Sequence, residues 1–259
     1  MLLKAIVRPP SANFAEGLTT VYLGAPDYAR ALEQHEAYCS ALEQCGLTLT
    51  RLAPDERYPD STFVEDTAVL TERCAILTRP GAPRRGGEVS NIRQILAKFY
   101  SELHSIREPG TLDGGDVCQA GGNSSHFFIG ISERTNEDGA RQLARLLTQA
   151  AYSSTLIDIR RTIGILHLKS GLAYLGDNRL AVIQSLAERE EFRGYELIRV
   201  KAGEEYAANC VRVNERLLVA AGHPVFAATL HDSGYQTIVL EMTEFQKMDG
   251  GLSCLSLRF

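Results

Sequence analysis

Lys247-Met248-Asp249-Gly250-Gly251-Leu252-Ser253-Cys254-Leu255-Ser256-Leu257-Arg258-Phe259 closes the chain. Leu252, Leu255 and Leu257 after a Gly-Gly turn predict a terminal strand over 252–257, with a thiol near its start. Segments this close to a terminus are commonly frayed and dispensable. Here the elements upstream leave this strand without a partner, and a radial array closed by it would remove free sheet edges.

Working back from that end, short strands around a turn, then a helix, then another strand recur with a period of about 50 residues. Each is a ββαβ-type unit. The first opens at 4–8, runs through a glycine-punctuated loop at 16–24, and enters a helix at 27–44. Pro26 stands at the start of that helix and Gly46 past its end. Strand 47–52 closes the unit with period-two alternation. The second has strands at 67–70 and 75–78, a loop at 79–87 and a helix at 89–100. The third has strands at 116–120 and 126–131 around a Gly121-Gly122-Asn123 turn, a helix at 136–150 and a strand at 155–159. The fourth has strands at 165–169, 172–175 and 180–183, a short helix at 186–192 and a strand at 196–200. The fifth has strands at 210–213 and 217–220, a helix at 224–232 and a strand at 237–240. The organisation predicted is one α/β domain over residues 1–259.

Composition narrows the function. The chain has 259 residues, 44% hydrophobic and 23% charged, enough for a substantial core. A net charge of −5 argues against nucleic acid, whose backbone demands clustered Lys and Arg, and suits a cationic small molecule. Met1–Pro10 lacks the apolar run of a signal peptide, and no apolar stretch approaches membrane-spanning length. A cytoplasmic protein with no membrane contact is expected. The cysteines at 39, 45, 74, 118, 210 and 254 form no Cys-x-x-Cys pair and no zinc-spaced set, so they read as reduced, and no metal is predicted.

The residues that can carry chemistry are few. A thiolate is a strong nucleophile once its pKa is lowered, which draws attention to Cys254. Ile165-Leu166-His167-Leu168-Lys169-Ser170-Gly171 offers a general acid/base. Carboxylates follow turn-like stretches at Phe63-Val64-Glu65-Asp66 and Thr111-Leu112-Asp113-Gly114-Gly115-Asp116. Cysteine, histidine and paired acids together suggest a covalent hydrolase for a cationic substrate.

Taken in order, Phe63-Val64-Glu65-Asp66, Thr78-Arg79-Pro80-Gly81-Ala82-Pro83, Leu112-Asp113-Gly114-Gly115-Asp116, Arg134-Thr135-Asn136, Leu166-His167-Leu168-Lys169, Ala207-Ala208-Asn209-Cys210 and the Asp249–Cys254 end resemble the dimethylarginine dimethylaminohydrolases. These are members of the guanidine-modifying, or pentein, superfamily. The resemblance runs from about Ile6 to Phe259 and implies a five-bladed α/β propeller with pseudo-fivefold symmetry, in agreement with the repeat. It implies Cys254 as nucleophile and His167 as general acid/base. Asp66 and Asp113 would bind the guanidinium, although some bacterial relatives carry Glu where this chain has Asp113.

Arg85 and Arg134 would clamp the substrate's α-carboxylate by forked pairing. Arg84 stands beside Arg85, and a one-residue loop shift exchanges them. Leu18, by its carbonyl, and Asp60 match positions near the α-amino end. Leu18 lies in a lid with Gly17 and Gly24 as hinges. Glu65 and Met248 would touch substrate through their backbones, and Asp116 would orient His167 or the backbone from behind.

The implied reaction is hydrolysis of Nω-methylated L-arginine to L-citrulline and a methylamine, with no cofactor. The rivals are deimination of arginine, hydrolysis of another N-substituted arginine, amidino transfer, and a non-catalytic binding protein of the same fold. Monomer and homodimer both remain open.

Overall fold

The computed structural model describes residues 1–120 and 125–259. The predicted Gly121-Gly122-Asn123 turn lies outside the described residues. In chain order the elements begin with β1 (Lys4–Val7), α1 (Tyr28–Gln44) and β2 (Thr48–Arg51). Next come β3 (Ala68–Leu70), β4 (Ala75–Leu77), α2 (Glu88–Leu96) and β5 (Leu103–Ser105), then β6 (Val117–Ala120), β7 (His126–Ile131), α3 (Glu137–Gln149) and β8 (Ser153–Asp158). After β9 (Leu172–Gly176), β10 (Arg179–Ile183) and β11 (Glu196–Val200) the chain forms β12 (Val211–Val213), β13 (Arg216–Ala220), α4 (Pro224–Asp232) and β14 (Gln236–Leu240). It ends with α5 (Thr243–Gln246) and β15 (Ser256–Arg258).

Among the described residues five three-stranded sheets result, divided between two compact units. One unit joins residues 1–64 to 209–259 and the other spans 65–208. Every sheet has the same plan: the middle strand pairs antiparallel on one side and parallel on the other. A tight turn can make the antiparallel pair, but the parallel neighbour needs a crossover. Helices α1, α2, α3 and α4 supply four of these crossovers.

The unit of residues 1–64 and 209–259 holds sheets β15-β1-β2 and β12-β13-β14. The antiparallel partner of β1 is β15, with Ile6 opposite Leu257, so the chain's last strand takes the place a hairpin strand fills in the other sheets. Helix α1 begins where Asp27 accepts the Arg30 N–H at 2.9 Å and ends before Gly46, whose φ of +89° suits glycine. Its Ala31, Tyr38 and Leu42 are buried. Phe14, Phe63 and Phe245 form an aromatic cluster with centroids 5.6–6.4 Å apart. Burying each ring contributes roughly 2–3 kcal/mol.

The unit of residues 65–208 holds β3-β4-β5, β6-β7-β8 and β9-β10-β11. Helix α3, capped by Asn136 on the Gly139 N–H, buries Ala140, Leu143 and Leu147 against Ile76, Phe127 and Ile129. No described helix is long and apolar enough to cross a membrane.

Four expectations need correction. Residues 165–169 form no strand: Leu168–Ser170 is a 3-10 turn. Leu168 N–H donates to Asp116, Ser170 N–H to the His167 carbonyl and Gly171 N–H to the Leu168 carbonyl, so these groups are not free for a strand ladder. The helix predicted at 186–192 is a series of tight turns ending in a 3-10 turn at Glu190–Phe192, a segment too short and too charged to offset helix nucleation. The strand predicted at 252–257 starts only at Ser256, because Ser253–Leu255 is a 3-10 turn closed by Cys254 N–H to the Gly251 carbonyl. Strand β5 was not anticipated, and α2 ends at Leu96 where the sequence pattern runs to 100.

Candidate active site

In the unit of residues 65–208 the site begins with the Asp113-Gly114-Gly115-Asp116 turn. Gly114 lies against the Glu65 carbonyl so closely that a Cβ would overlap it. Gly115 donates its N–H to Asp66 Oδ1 at 2.9 Å, and a Cβ there would stand 2.7 Å from His167 Nδ1. The paired glycines are thus what lets an imidazole lie on a backbone. Asp113 Oδ2 is 3.1 Å from His167 Nε2, and its Oδ1 accepts the Gly81 N–H at 2.8 Å. Asp116 accepts from the hydroxyls of Ser132 and Thr135 at 2.7 Å each and from the Leu168 N–H at 2.9 Å. It therefore grips the backbone directly after His167 rather than the imidazole.

Three carboxylates decide the charge of His167. Burial works against its proton, but Asp66, Asp116 and Asp113 outweigh it and raise the pKa to about 9. Asp66, also buried, is held down at about 2 by His167, Arg85 and the Gly115 N–H. For Asp116 burial dominates and raises the pKa. At neutral pH the centre is an imidazolium among acids, a ready proton donor.

Arg85 is the inward member of the Arg84-Arg85 pair, buried while Arg84 is exposed. Its Nη1 meets Asp66 at 2.6 Å, and its Nε and Nη2 meet Glu88 at 3.0 and 2.9 Å. Arg134 is half-buried on the loop that packs against Gly81. A Cβ at Gly81 would overlap the Arg134 backbone. Gly81→Ala is therefore expected to cost about 1–3 kcal/mol of stability, read as a lowered thermal midpoint. Glu65 pairs with Lys169 at 2.6 Å.

Asp66, Asp113 and His167 each place a ligand atom within 4.8 Å of the others, the one such group among the described residues. Arg85 pairs with Asp66 at the edge of that group. A carboxylate has about four acceptor positions, so both acids keep lone pairs for a guanidinium.

In the unit of residues 1–64 and 209–259, Cys254 sits part-exposed on the 3-10 turn before β15. Gly251 N–H points at its Sγ, 3.4 Å away. The turn is held by the Asn209 side chain, which accepts the Ser253 N–H at 2.9 Å and donates to Ser253 Oγ at 3.1 Å. Gly250 packs on the Phe63 ring and Gly251 on the Asn209 amide, so neither tolerates a Cβ. Asp60, buried, accepts the Leu18 N–H at 3.0 Å through one oxygen and 3.2 Å through the other. Gly17 lies beside Asp60 and Met248, and Thr20 bonds to Asp249. The loop carrying Leu18 is thereby pinned to the segment leading to Cys254.

Each unit thus gathers its own share of the predicted residues: Leu18, Asp60, Met248 and Cys254 in one, Glu65, Asp66, Arg85, Asp113, Asp116, Arg134 and His167 in the other. Sequence reasoning gave no role to Asn209, Glu88 or Lys169. Asn209 and Lys169 stand inside quoted motifs, which was the available signal.

The histidines set a pH dependence of stability. His167 keeps its proton to about 9 in the folded chain against an ordinary 6.5, so its contribution is full below 6.5 and lost as pH rises through 9. His35, buried 3.6 Å from Cys39 Sγ, is lowered by burial to about 4. The unfolded chain therefore takes up that proton first as pH falls from 6.5 to 4, and stability falls with it. The thermal midpoint is expected to peak near pH 6.5, and His167→Ala is expected to flatten the alkaline side. Thermal scans from pH 4 to 9 check both.

A family model described as arginine deiminase matches residues 56–217. The dimethylarginine dimethylaminohydrolase of Pseudomonas aeruginosa is 44% identical over 255 residues, 98% of either chain. A solved structure of the Pseudomonas aeruginosa protein, a cysteine-to-serine mutant complexed with citrulline, superposes with a TM-score of 0.96 at 43% identity over the full length of both chains. A dimethylarginine dimethylaminohydrolase in histidine-to-glycine form, an adduct with S-methyl-L-thiocitrulline, matches equally at 0.96 and 43%, again over all of both chains. The fold class is accordingly the one the resemblance implied and the repeat agreed with, an α/β propeller of five small mixed sheets.

Proposed function

The chain belongs to the dimethylarginine dimethylaminohydrolase family, and from that premise we propose that it hydrolyses Nω-methylated L-arginine to L-citrulline and a methylamine. The observation that carries the chemistry is the position of the His167 imidazole, buried on Gly115 with Nε2 3.1 Å from Asp113 Oδ2. A guanidinium is a poor electrophile and its amine a poor leaving group, so the reaction needs both a thiolate and a positioned acid.

In this reading the Cys254 Sγ forms a bond to the guanidinium carbon. The His167 proton passes to the methylated nitrogen, the C–N bond breaks, and dimethylamine or methylamine leaves. The neutral imidazole then takes one proton from water as its oxygen bonds to the thiouronium carbon; the tetrahedral adduct loses its hydroxyl proton to solvent as the S–C bond breaks, releasing citrulline and the Cys254 thiolate. The Gly251 N–H supports the thiolate. Asp66 and Asp113 fix the guanidinium plane, and Asp116 holds the backbone behind His167. Arg134 receives the α-carboxylate; Arg85, whose fork is taken by Glu88 and whose Nη1 meets Asp66, holds Asp66 in place instead, while Leu18, Asp60, Glu65 and Met248 border the amino-acid end. Residues 1–259 act as a single catalytic domain with a small methylarginine as partner. Six cysteines, all free, support a reducing, cytoplasmic location.

A second reading, deimination of arginine itself, is favoured by the arginine-deiminase description of the matching family model. The two use the same catalytic atoms and part over the nitrogen substituent. Citrulline formation from asymmetric dimethylarginine, monomethylarginine, symmetric dimethylarginine and arginine, assayed in parallel, separates them. Higher kcat/KM on the first two is expected; turnover chiefly of arginine would make the protein a deiminase.

A further inference from the structure

We propose that Lys169 is a positioning residue: with Glu65 it forms a shielded ion-pair strut that ties the turn carrying His167 to the turn carrying Asp66. The inference rests on the reading of His167 as the acid/base. Lys169 stands two residues after His167 on the 3-10 turn Leu168–Ser170, and Glu65 directly precedes Asp66 on the 3-10 turn Val64–Thr67. Their Nζ and Oε1 are 2.6 Å apart, with side chains 15% and 5% exposed. Water screens such a pair weakly, so its geometry is better held than that of a surface pair.

The Glu65 end is itself fixed. Its carbonyl lies against Gly114 with no room for a Cβ, so the carboxylate projects from a backbone that cannot slide. The His167 turn has a separate anchor in Asp116, which accepts the Leu168 N–H and is held in turn by Ser132 and Thr135. Asp116 therefore joins the turn to the β6–β7 side, and Lys169 joins it to the Asp66 side. With both in place the imidazole is confined over Gly115, between Asp113 and Asp66. With Lys169 removed the turn loses its tie to the Asp66 side while Asp116 still holds the Leu168 N–H, and Glu65 loses this partner beside Asp66. Lys169 has its charge met by Glu65, so it supplies position and not a proton.

The test is steady-state kinetics with asymmetric dimethylarginine on Lys169→Met, Lys169→Arg, Glu65→Gln and the Glu65→Gln/Lys169→Met double variant. A displacement of the acid by a fraction of an ångström to 1 Å costs on the order of 10²-fold in rate. Lys169→Met is expected to lose that in kcat with KM little changed, and Lys169→Arg to recover most of it. The double variant is expected to be no worse than either single, because both break one strut. Wild-type kcat in Lys169→Met, additive losses in the double variant, or a rise in KM with kcat intact would each overturn the proposal.

The His167 imidazole resonances of the substrate-free protein give a second readout. They are expected to move in Lys169→Met and return in Lys169→Arg; unmoved resonances in a folded Lys169→Met protein contradict the strut. If wild-type protein makes no citrulline, the functional reading fails while these resonances still decide the strut. If Lys169→Met does not fold, Glu65→Gln and Lys169→Arg carry the same comparison.

Discussion

Cys254→Ser is expected to keep its fold and to lose citrulline release by at least on the order of 10³-fold. The chemistry sets the size of the loss. A guanidinium carbon shares its positive charge among three nitrogens and resists attack, so the nucleophile must be anionic. A thiol ionises far more readily than a serine hydroxyl, and here the Gly251 N–H is aimed at Sγ. Structure explains why the fold survives. The turn is fixed by Asn209 on Ser253, by Gly250 on Phe63 and by the β15–β1 ladder, none of which uses the sulfur. The side chain is part-exposed, so exchanging sulfur for oxygen opens no core cavity. The check is kcat on asymmetric dimethylarginine beside circular dichroism and a thermal midpoint. A Ser variant that turns over within tenfold of wild type would remove Cys254 from the reaction.

His167→Ala is expected to lose about 10²–10⁴-fold in kcat on methylarginines, the range for a general acid/base. The loss has two parts, protonation of the departing amine and activation of water against the thiouronium. They can be separated by the leaving group. Methanethiolate departs without prior protonation, so S-methyl-L-thiocitrulline should still form the thiouronium adduct on Cys254 in the Ala variant. One equivalent of thiol is expected, followed by a persistent adduct, because the hydrolytic half still needs the imidazole. In the wild-type protein kcat/KM should fall on the alkaline side near pH 9, where burial is outweighed by Asp66, Asp116 and Asp113 and the imidazolium finally loses its proton. Full turnover of S-methyl-L-thiocitrulline by the variant would show that another group activates the water.

The legible and illegible parts of the chain divide along a physical line. Helix α4 and strand β7 were read to the residue, since Pro224 starts the one and an apolar run marks the other. The ββαβ plan was legible because local turns and caps mark it. What was not legible depends on partners far along the chain. The 3-10 turn after His167 exists because Asp116, 52 residues away, takes the Leu168 N–H. The turn bearing Cys254 depends on Asn209, 44 residues from Ser253. Strand β5 has three half-buried residues and no alternation to reveal it; it forms on the edge that β4 offers. Likewise the residue types at the site were visible as motifs, but not the division of labour. The motifs set Asp113 at the substrate and Asp116 behind it, but only the fold shows that Asp113 also meets the imidazole and that Asp116 takes the backbone N–H of Leu168.

The measurement that bears most directly on the central claim is the simultaneous assay of citrulline and dimethylamine from asymmetric dimethylarginine, with wild-type protein and Cys254→Ser side by side. The account predicts both products in equal amounts from the wild type and neither from the variant. Citrulline that persists in the folded Ser variant, or that appears with no matching dimethylamine, would contradict it.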